Sequence, residues 1–124
     1  VAEGATSRTA ADKTWLAGVY GIRGRIQLGL ERVQYALTDL LTDASRPIAL
    51  AEAVCMATPR PVLLIAAGEV ADEGHAADTI QGHAPDRVTV WRVPGAGHIQ
   101  GLAVAPAEWE RRVIEFLDAA LLRP

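Results

Sequence analysis

The run Pro61-Val-Leu-Leu-Ile-Ala-Ala-Gly68 decides how the rest of this 124-residue chain is read. It is an unbroken apolar stretch of strand length, with proline where a strand can begin and glycine where it ends. A strand without polar alternation is buried on both faces, as in a parallel sheet covered by helices on each side. Downstream, Asp72 can cap a helix from about Glu73 to His83, with Ala76, Ala77 and Ile80 pointing inward and Ala84-Pro85-Asp86 as the stop. Arg87-Val-Thr-Val-Trp-Arg-Val-Pro94 is rich in β-branched and aromatic residues and predicts a second strand. A last helix is expected from Pro106 to Leu122, with Glu108 and Glu110 near its positive end and Trp109, Val113, Leu117, Ala120 and Leu121 as the buried stripe. Arg123 and Pro124 close it.

Upstream of the deciding run, Val1-Ala-Glu-Gly4 reads as the end of a strand, too short to be an ordinary beginning, so further chain is expected before it. Trp15 to Ile22 mixes aromatics with glycines and suggests a short helix or an irregular apolar segment. Ile26, Leu30, Val33, Leu37 and Leu40 recur at three- and four-residue steps along one face of a helix. A further short helix fits Leu50 to Met56, between Pro47 and the pair Pro59 and Pro61. The reading is a single α/β unit: a strand end over 1–4, a helical insertion over 5–60, and a strand-helix-strand-helix over 61–124. This order asks for a partial parallel sheet with right-handed crossovers and flanking helices. The insertion is too long for an ordinary connection and is lid-like. Its Trp15, Tyr20 and Tyr35 are expected to serve packing first and pocket lining second.

Composition narrows the partners. The net charge is -3, with no long Lys/Arg cluster, which argues against a nucleic-acid backbone as ligand. Apolar runs such as Val62 to Ala67 are far shorter than the roughly 20 residues that span a bilayer, and the first residues lack the charged and apolar regions of a signal peptide. The single Cys55 cannot form an internal disulfide, which suits a cytoplasmic protein, and it is expected to be a small buried apolar side chain. His75, His83 and His98 form no HExxH or Cys/His cluster, so no metal is expected, with His75 and His83 on the ordinary surface of one helix. The glycines around Gly95 lack a dinucleotide fingerprint, so no cofactor is expected either.

Neighbouring parallel strands lie about 4.8 Å apart, so the loops leaving their carboxyl ends emerge side by side. That brings Gly68-Glu-Val-Ala-Asp72-Glu73 next to Pro94-Gly-Ala-Gly-His98. An acid in the first loop can accept a hydrogen bond from one nitrogen of His98 and leave the other free as a general base. A histidine displayed on a Gly/Pro turn is by itself usually just solvated. The order of acid loop, helix, strand, histidine loop and terminal helix adds weight, because it is the tail of the Ser, Asp/Glu, His order of α/β-hydrolases.

Three segments carry a closer resemblance: Pro61 to Glu69, Val90-Trp-Arg-Val-Pro-Gly-Ala-Gly-His98, and the helix from Pro106 to Leu122. In this order they resemble the closing segments of bacterial α/β-hydrolases of the dienelactone-hydrolase and peptidase-like branch. The resemblance covers the second half of the chain well and the insertion loosely. It implies a catalytic base at His98 and an orienting acid a few residues past the first strand. Asp72 is the first choice, Glu69 and Glu73 are rivals, and Glu3 is an outside alternative because some relatives take the acid from the preceding strand. Asp72 as a plain helix cap is an equally good account of that residue. The family's Gly-x-Ser-x-Gly nucleophile turn is absent: the only serines are Ser7 and Ser45, without the flanking glycines, and Cys55 sits in Ala-Val-Cys-Met-Ala.

The expectation is therefore a carboxyl-terminal part of a serine hydrolase acting on a small ester, amide or related acyl substrate, inactive alone. The alternative is a non-catalytic α/β interaction module, or a subunit completed by another chain. A complete small α/β fold of another family is the weakest of the three. An unprotected sheet edge would favour a homodimer or an exchange of elements between copies.

Overall fold

The apolar run at 62–67 forms the middle strand of a three-stranded parallel sheet, and five of its six residues are buried. The computed structural model describes residues 1–43, 45, 47–57 and 59–122. Within them the order is β1 (Ala2–Glu3), α1 (Trp15–Tyr20), α2 (Ile22–Leu41), α3 (Leu50–Met56), β2 (Val62–Ala67), α4 (Ala71–His83), β3 (Val88–Val93), α5 (Gly101–Val104) and α6 (Pro106–Leu121). β2 pairs with β3 in register from Val62↔Val88 to Ala67↔Val93, and with β1 through Ala2↔Leu64 and Glu3↔Ile65. The protein is thus a mixed α/β fold with an open parallel sheet.

Side chains along a strand alternate between its faces, and here each face has its own helices. Leu63, Ile65 and Ala67 join Trp91, Val93 and Ala96 beneath Trp109, Val113 and Phe116 of α6. Leu64 and Ala66 join Ala77, Ile80 and Val88, with Leu50 and Val54 of α3 against them. Burying apolar surface contributes about 25 cal/mol per Å². With both faces covered, β2 tolerates no polar position, which is the physical content of its unbroken apolar run.

The helices differ from expectation in detail. α4 starts at Ala71 with Val70 at its N-cap and no side-chain cap, so Asp72 lies in the first turn and is not the cap. In α6, Trp109, Val113 and Phe116 form the inward line, whereas Leu117 and Leu121 are exposed, because they are turned about 100° from Phe116 and Ala120. Arg112 adds a cation–π contact over the Trp91 ring at 5.0 Å. The one-turn α5 has no counterpart in the sequence reading, and the expected stop at Arg123 and Pro124 lies outside the described residues. Cys55 is exposed rather than buried, with its Sγ 3.9 Å from the His83 carbonyl.

The insertion is held by polar contacts as much as by core. Asp12 is buried; its Oδ2 accepts from the Thr9 backbone N–H and hydroxyl, and its Oδ1 accepts the Leu50 N–H at 2.7 Å. That last bond supplies from a distance the cap that Ala49 cannot give to α3. Trp15 donates to the Ser7 hydroxyl and stacks on His75 of α4, with ring centroids 4.2 Å apart. His83, also on α4, is exposed and places Nδ1 2.8 Å from the Thr79 carbonyl.

α2 lies with its apolar stripe facing away from the fold. Its inward positions are Gly24 and Leu28, flanked by Glu31, which pairs with Lys13 at 2.8 Å, and by Tyr35, whose hydroxyl donates to the Arg8 carbonyl. At 100° per residue these positions lie roughly opposite Ile26, Leu30, Val33, Leu37 and Leu40, all of which are exposed. Gly24 makes the arrangement feasible: a Cβ there would stand 2.0 Å from the Leu16 carbonyl oxygen, so α1 and α2 touch backbone to backbone.

Candidate functional site

The loops after β2 and β3 are joined before any side chain is considered. Gly68 N–H extends the sheet ladder to the Val93 carbonyl at 2.9 Å, and Glu69 N–H donates to the Ala96 carbonyl at 3.1 Å. Val93-Pro94-Gly95-Ala96 closes on itself through Ala96 N–H to the Val93 carbonyl. Gly95 has φ 72°, so proline and glycine occupy the two central positions that a type II turn assigns them. Ala96 is fully buried, and the chain then rises to His98 at the carboxyl edge of the sheet, where ligands of open α/β sheets are bound.

His98 meets Glu73 there. Its Nδ1 lies 2.6 Å from Glu73 Oε1, with the Glu73 side chain wholly buried and the His98 side chain 56% exposed. The other carboxylate oxygen, Oε2, accepts the Ala67 N–H at 2.7 Å. Glu73 therefore spans from the last residue of β2 to the imidazole and fixes both. An ionised carboxylate accepts hydrogen bonds and donates none, so beside it a neutral imidazole carries its proton on Nδ1 and keeps Nε2 as the bare nitrogen. Among the described residues no group is hydrogen-bonded to Nε2.

Two further features frame the ring. Gly4, at the end of β1, leaves no space for a side chain, since a Cβ there would lie 3.0 Å from His98 Cε1 and 3.3 Å from Nδ1. Ile99, immediately after His98, has φ 50°, a conformation that a β-branched residue adopts at a cost of about 1–3 kcal/mol. Residues held in such conformations cluster at active sites, ligand clamps and switch regions.

The other acids considered from sequence lie elsewhere. Asp72, the first choice, borders a groove of about 460 Å³ together with Lys13, Trp15, Leu16, Tyr20, Arg23 and Gln27, and its Oδ1 is buried without a hydrogen-bond partner among the described residues. Glu69 is exposed on the loop. Glu3 sends Oε1 to the Gly101 N–H at 2.7 Å and Oε2 to the indole N–H of Trp109 at 2.9 Å, tying β1 to α5 and α6. Trp15 and Tyr20 line the groove beside Asp72, and Tyr35 lines a separate one of about 450 Å³ with Arg32, Ile48 and Glu52.

The nucleophile candidates do not assemble a site with His98. Ser7 is buried and accepts from Trp15, and Cys55 is on α3 beside the His83 carbonyl. Among the described residues there is no group of three His, Cys, Asp or Glu side chains placed to hold a metal ion, and no helix long and apolar enough to cross a membrane. The arrangement at the sheet edge can take up and return one proton at Nε2. The sequence held the signal for Glu73 as one of three acids between Gly68 and Glu73; Gly4, Ile99 and Asp12 carried none. No protein-family model, curated protein or solved structure matches the chain.

Proposed function

We propose that this chain carries the base and the orienting acid of an α/β-hydrolase-type acyl hydrolase, with His98 as base and Glu73, rather than the first-choice Asp72, as acid. The observation that carries the reading is the buried Glu73 carboxylate on Nδ1 of a histidine whose Nε2 faces outward at the carboxyl edge of a parallel sheet. In this reading Nε2 takes the proton from a serine hydroxyl as it attacks an ester, amide or related acyl carbon. Glu73 holds the tautomer and stabilises the imidazolium that forms, and the proton then passes to the leaving group. The serine belongs to a Gly-x-Ser-x-Gly turn outside these 124 residues, the substrate is a small acyl compound, α1 to α3 form part of a lid, and the setting is cytoplasmic.

The test is active-site labelling of the full gene product with a fluorophosphonate, followed by mass spectrometry of the modified peptide. A labelled serine on such a turn, with labelling slowed on the order of 100-fold or more in His98→Ala, is the expected result. Labelling at the same rate in His98→Ala would overturn the assignment. The outward apolar face of α2 favours a second reading, an interaction module without catalysis. A product that takes no label and hydrolyses no acyl ester would support that one instead.

A further inference from the structure

The most regular hydrophobic pattern in the sequence is the one the fold leaves uncovered. Ile22, Ile26, Leu30, Val33, Leu37 and Leu40 of α2 fall within an arc of about 80°, counted at about 100° per residue, and each is more than half exposed. Val19 and Tyr20 are also exposed, at the end of α1 where the chain enters α2. The helix is 20 residues long and therefore about 30 Å, yet it is not apolar enough to cross a bilayer. Its apolar half is suited to lying along a surface rather than passing through one.

The charges around this face are of one sign. Arg23 borders the apolar arc on one side, and Arg25 and Arg32 lie on the other. All three are exposed, and none is in an ion pair with another of the described residues. The two acids of the helix are turned the other way: Glu31 pairs with Lys13 at 2.8 Å, and Asp39 lies on the inward half and also has a partner. A helix that meets another protein helix typically carries charges of both signs beside its seam, which set register and direction. Basic flanks without acids complement an anionic surface instead. Long arginine stems let the apolar side chains sink while the guanidinium groups stay at headgroup level.

We propose that α2 docks this chain on the surface of a membrane that contains anionic phospholipid. The helix lies in the plane of the interface, Ile26, Leu30, Val33 and Leu37 enter the boundary between headgroups and acyl chains, and Arg23, Arg25 and Arg32 meet lipid phosphates. Although the chain carries a net charge of -3, the attraction is local, because charges farther away than about 10 Å are largely screened at ordinary ionic strength. The docking does not rest on the hydrolase reading, since no residue of α2 takes part in the hydrogen bonds that join Ala67, Glu73 and His98.

Flotation of the full gene product with phosphatidylcholine vesicles, with and without an equal part of phosphatidylglycerol, tests the proposal. The expected result is binding to the mixed vesicles that weakens as salt is added and is much weaker on phosphatidylcholine alone. Each arginine near an anionic surface strengthens binding about fivefold, so Arg23→Gln, Arg25→Gln and Arg32→Gln together should weaken it on the order of 100-fold. Leu30→Glu with Leu37→Glu should weaken it at least as much, by placing carboxylates in the apolar face. Both leucines are exposed, so circular dichroism of that variant in solution should remain that of the folded protein. The arginine variant, which leaves the apolar face intact, carries the test should the glutamates disturb folding. A product that floats with neither vesicle overturns the proposal, including one whose α2 is covered by a second copy or by another part of its own polypeptide. Equal binding to the two vesicle types overturns it as well, as does binding indifferent to the three arginines or to the two glutamates.

Discussion

Glu73→Gln preserves the shape of the side chain and removes one of its two acceptors. The wild-type carboxylate accepts from Ala67 N–H with Oε2 and from His98 Nδ1–H with Oε1. An amide offers one acceptor and one donor group at these positions. If its oxygen keeps the rigid Ala67 N–H, its NH₂ faces Nδ1, and neutral His98 must move its proton to Nε2. That is the nitrogen a general base needs bare. Hydrogen bonds to a charged group contribute about 1.5–3 kcal/mol and neutral ones about 1 kcal/mol, so weakening two of them costs about 1–4 kcal/mol. At about 4 °C per kcal/mol for a chain of this size, the melting temperature should fall by about 4–16 °C, and relief of the buried charge places the result toward the lower end. Two-bond proton–nitrogen correlation of the imidazole, recorded where it is neutral, should find the bare nitrogen at Nε2 in the wild type and at Nδ1 in the variant. If the full gene product is an acyl hydrolase, its turnover should drop on the order of 10³ to 10⁴, the scale seen when a triad carboxylate becomes an amide. An unchanged tautomer in Glu73→Gln would refute the reasoning, whatever the stability.

Glu3→Gln is the matched control: it should loosen Gly101 and Trp109, cost about 1–3 kcal/mol, shift the tryptophan emission, and leave the His98 tautomer as it was. A changed tautomer there would show that the two acids are not independent. Gly24→Ala should destabilise by about 1–3 kcal/mol, measurable by urea unfolding, because the added Cβ meets the Leu16 carbonyl, a clash that outweighs the roughly 1 kcal/mol gain in helix propensity. Equal or greater stability in that variant would mean that α1 does not lie on Gly24. In α6, hydrogen bonds from Arg111 and Arg112 lower the pKa of Glu108 from 4.5 to about 2. A lowered folded-state value means that its contribution is present above about pH 4.5 and is lost as the pH falls toward about 2. Glu108→Gln should therefore flatten the acid limb of α6 helicity between those values, and an unchanged limb would place the acid sensitivity elsewhere.

The parts of the fold that the sequence announces are those in which local pattern and tertiary need agree. The unbroken run at 62–67 requires cover on both faces wherever the strand is placed, and Pro94-Gly95 suits one turn type. Pro106 at the first turn of α6 starts a helix irrespective of its neighbours. The pairing of the two loops follows as well, since parallel neighbours bring their carboxyl ends together. Cys55 shows the reverse situation, because whether a small residue on a short helix is buried depends on what lies across from it.

Asp72 and Glu73 mark the boundary between the two kinds of information. Adjacent residues on a helix point about 100° apart, so the choice of acid depends on where α4 begins and how it is rotated against β2. Helix packing rather than capping chemistry sets that rotation, and it turns Glu73 inward to Ala67 and His98 while Asp72 faces the groove. α2 repeats the lesson on a larger scale. The sequence alone determined that Ile26, Leu30, Val33, Leu37 and Leu40 share one face, because helical period fixes the angles between side chains on one element. That this face points outward follows from packing against the rest of the fold. The rotation of a helix about its own axis is set by what touches it, here the close approach at Gly24 and the Lys13–Glu31 and Tyr35–Arg8 contacts on the opposite side.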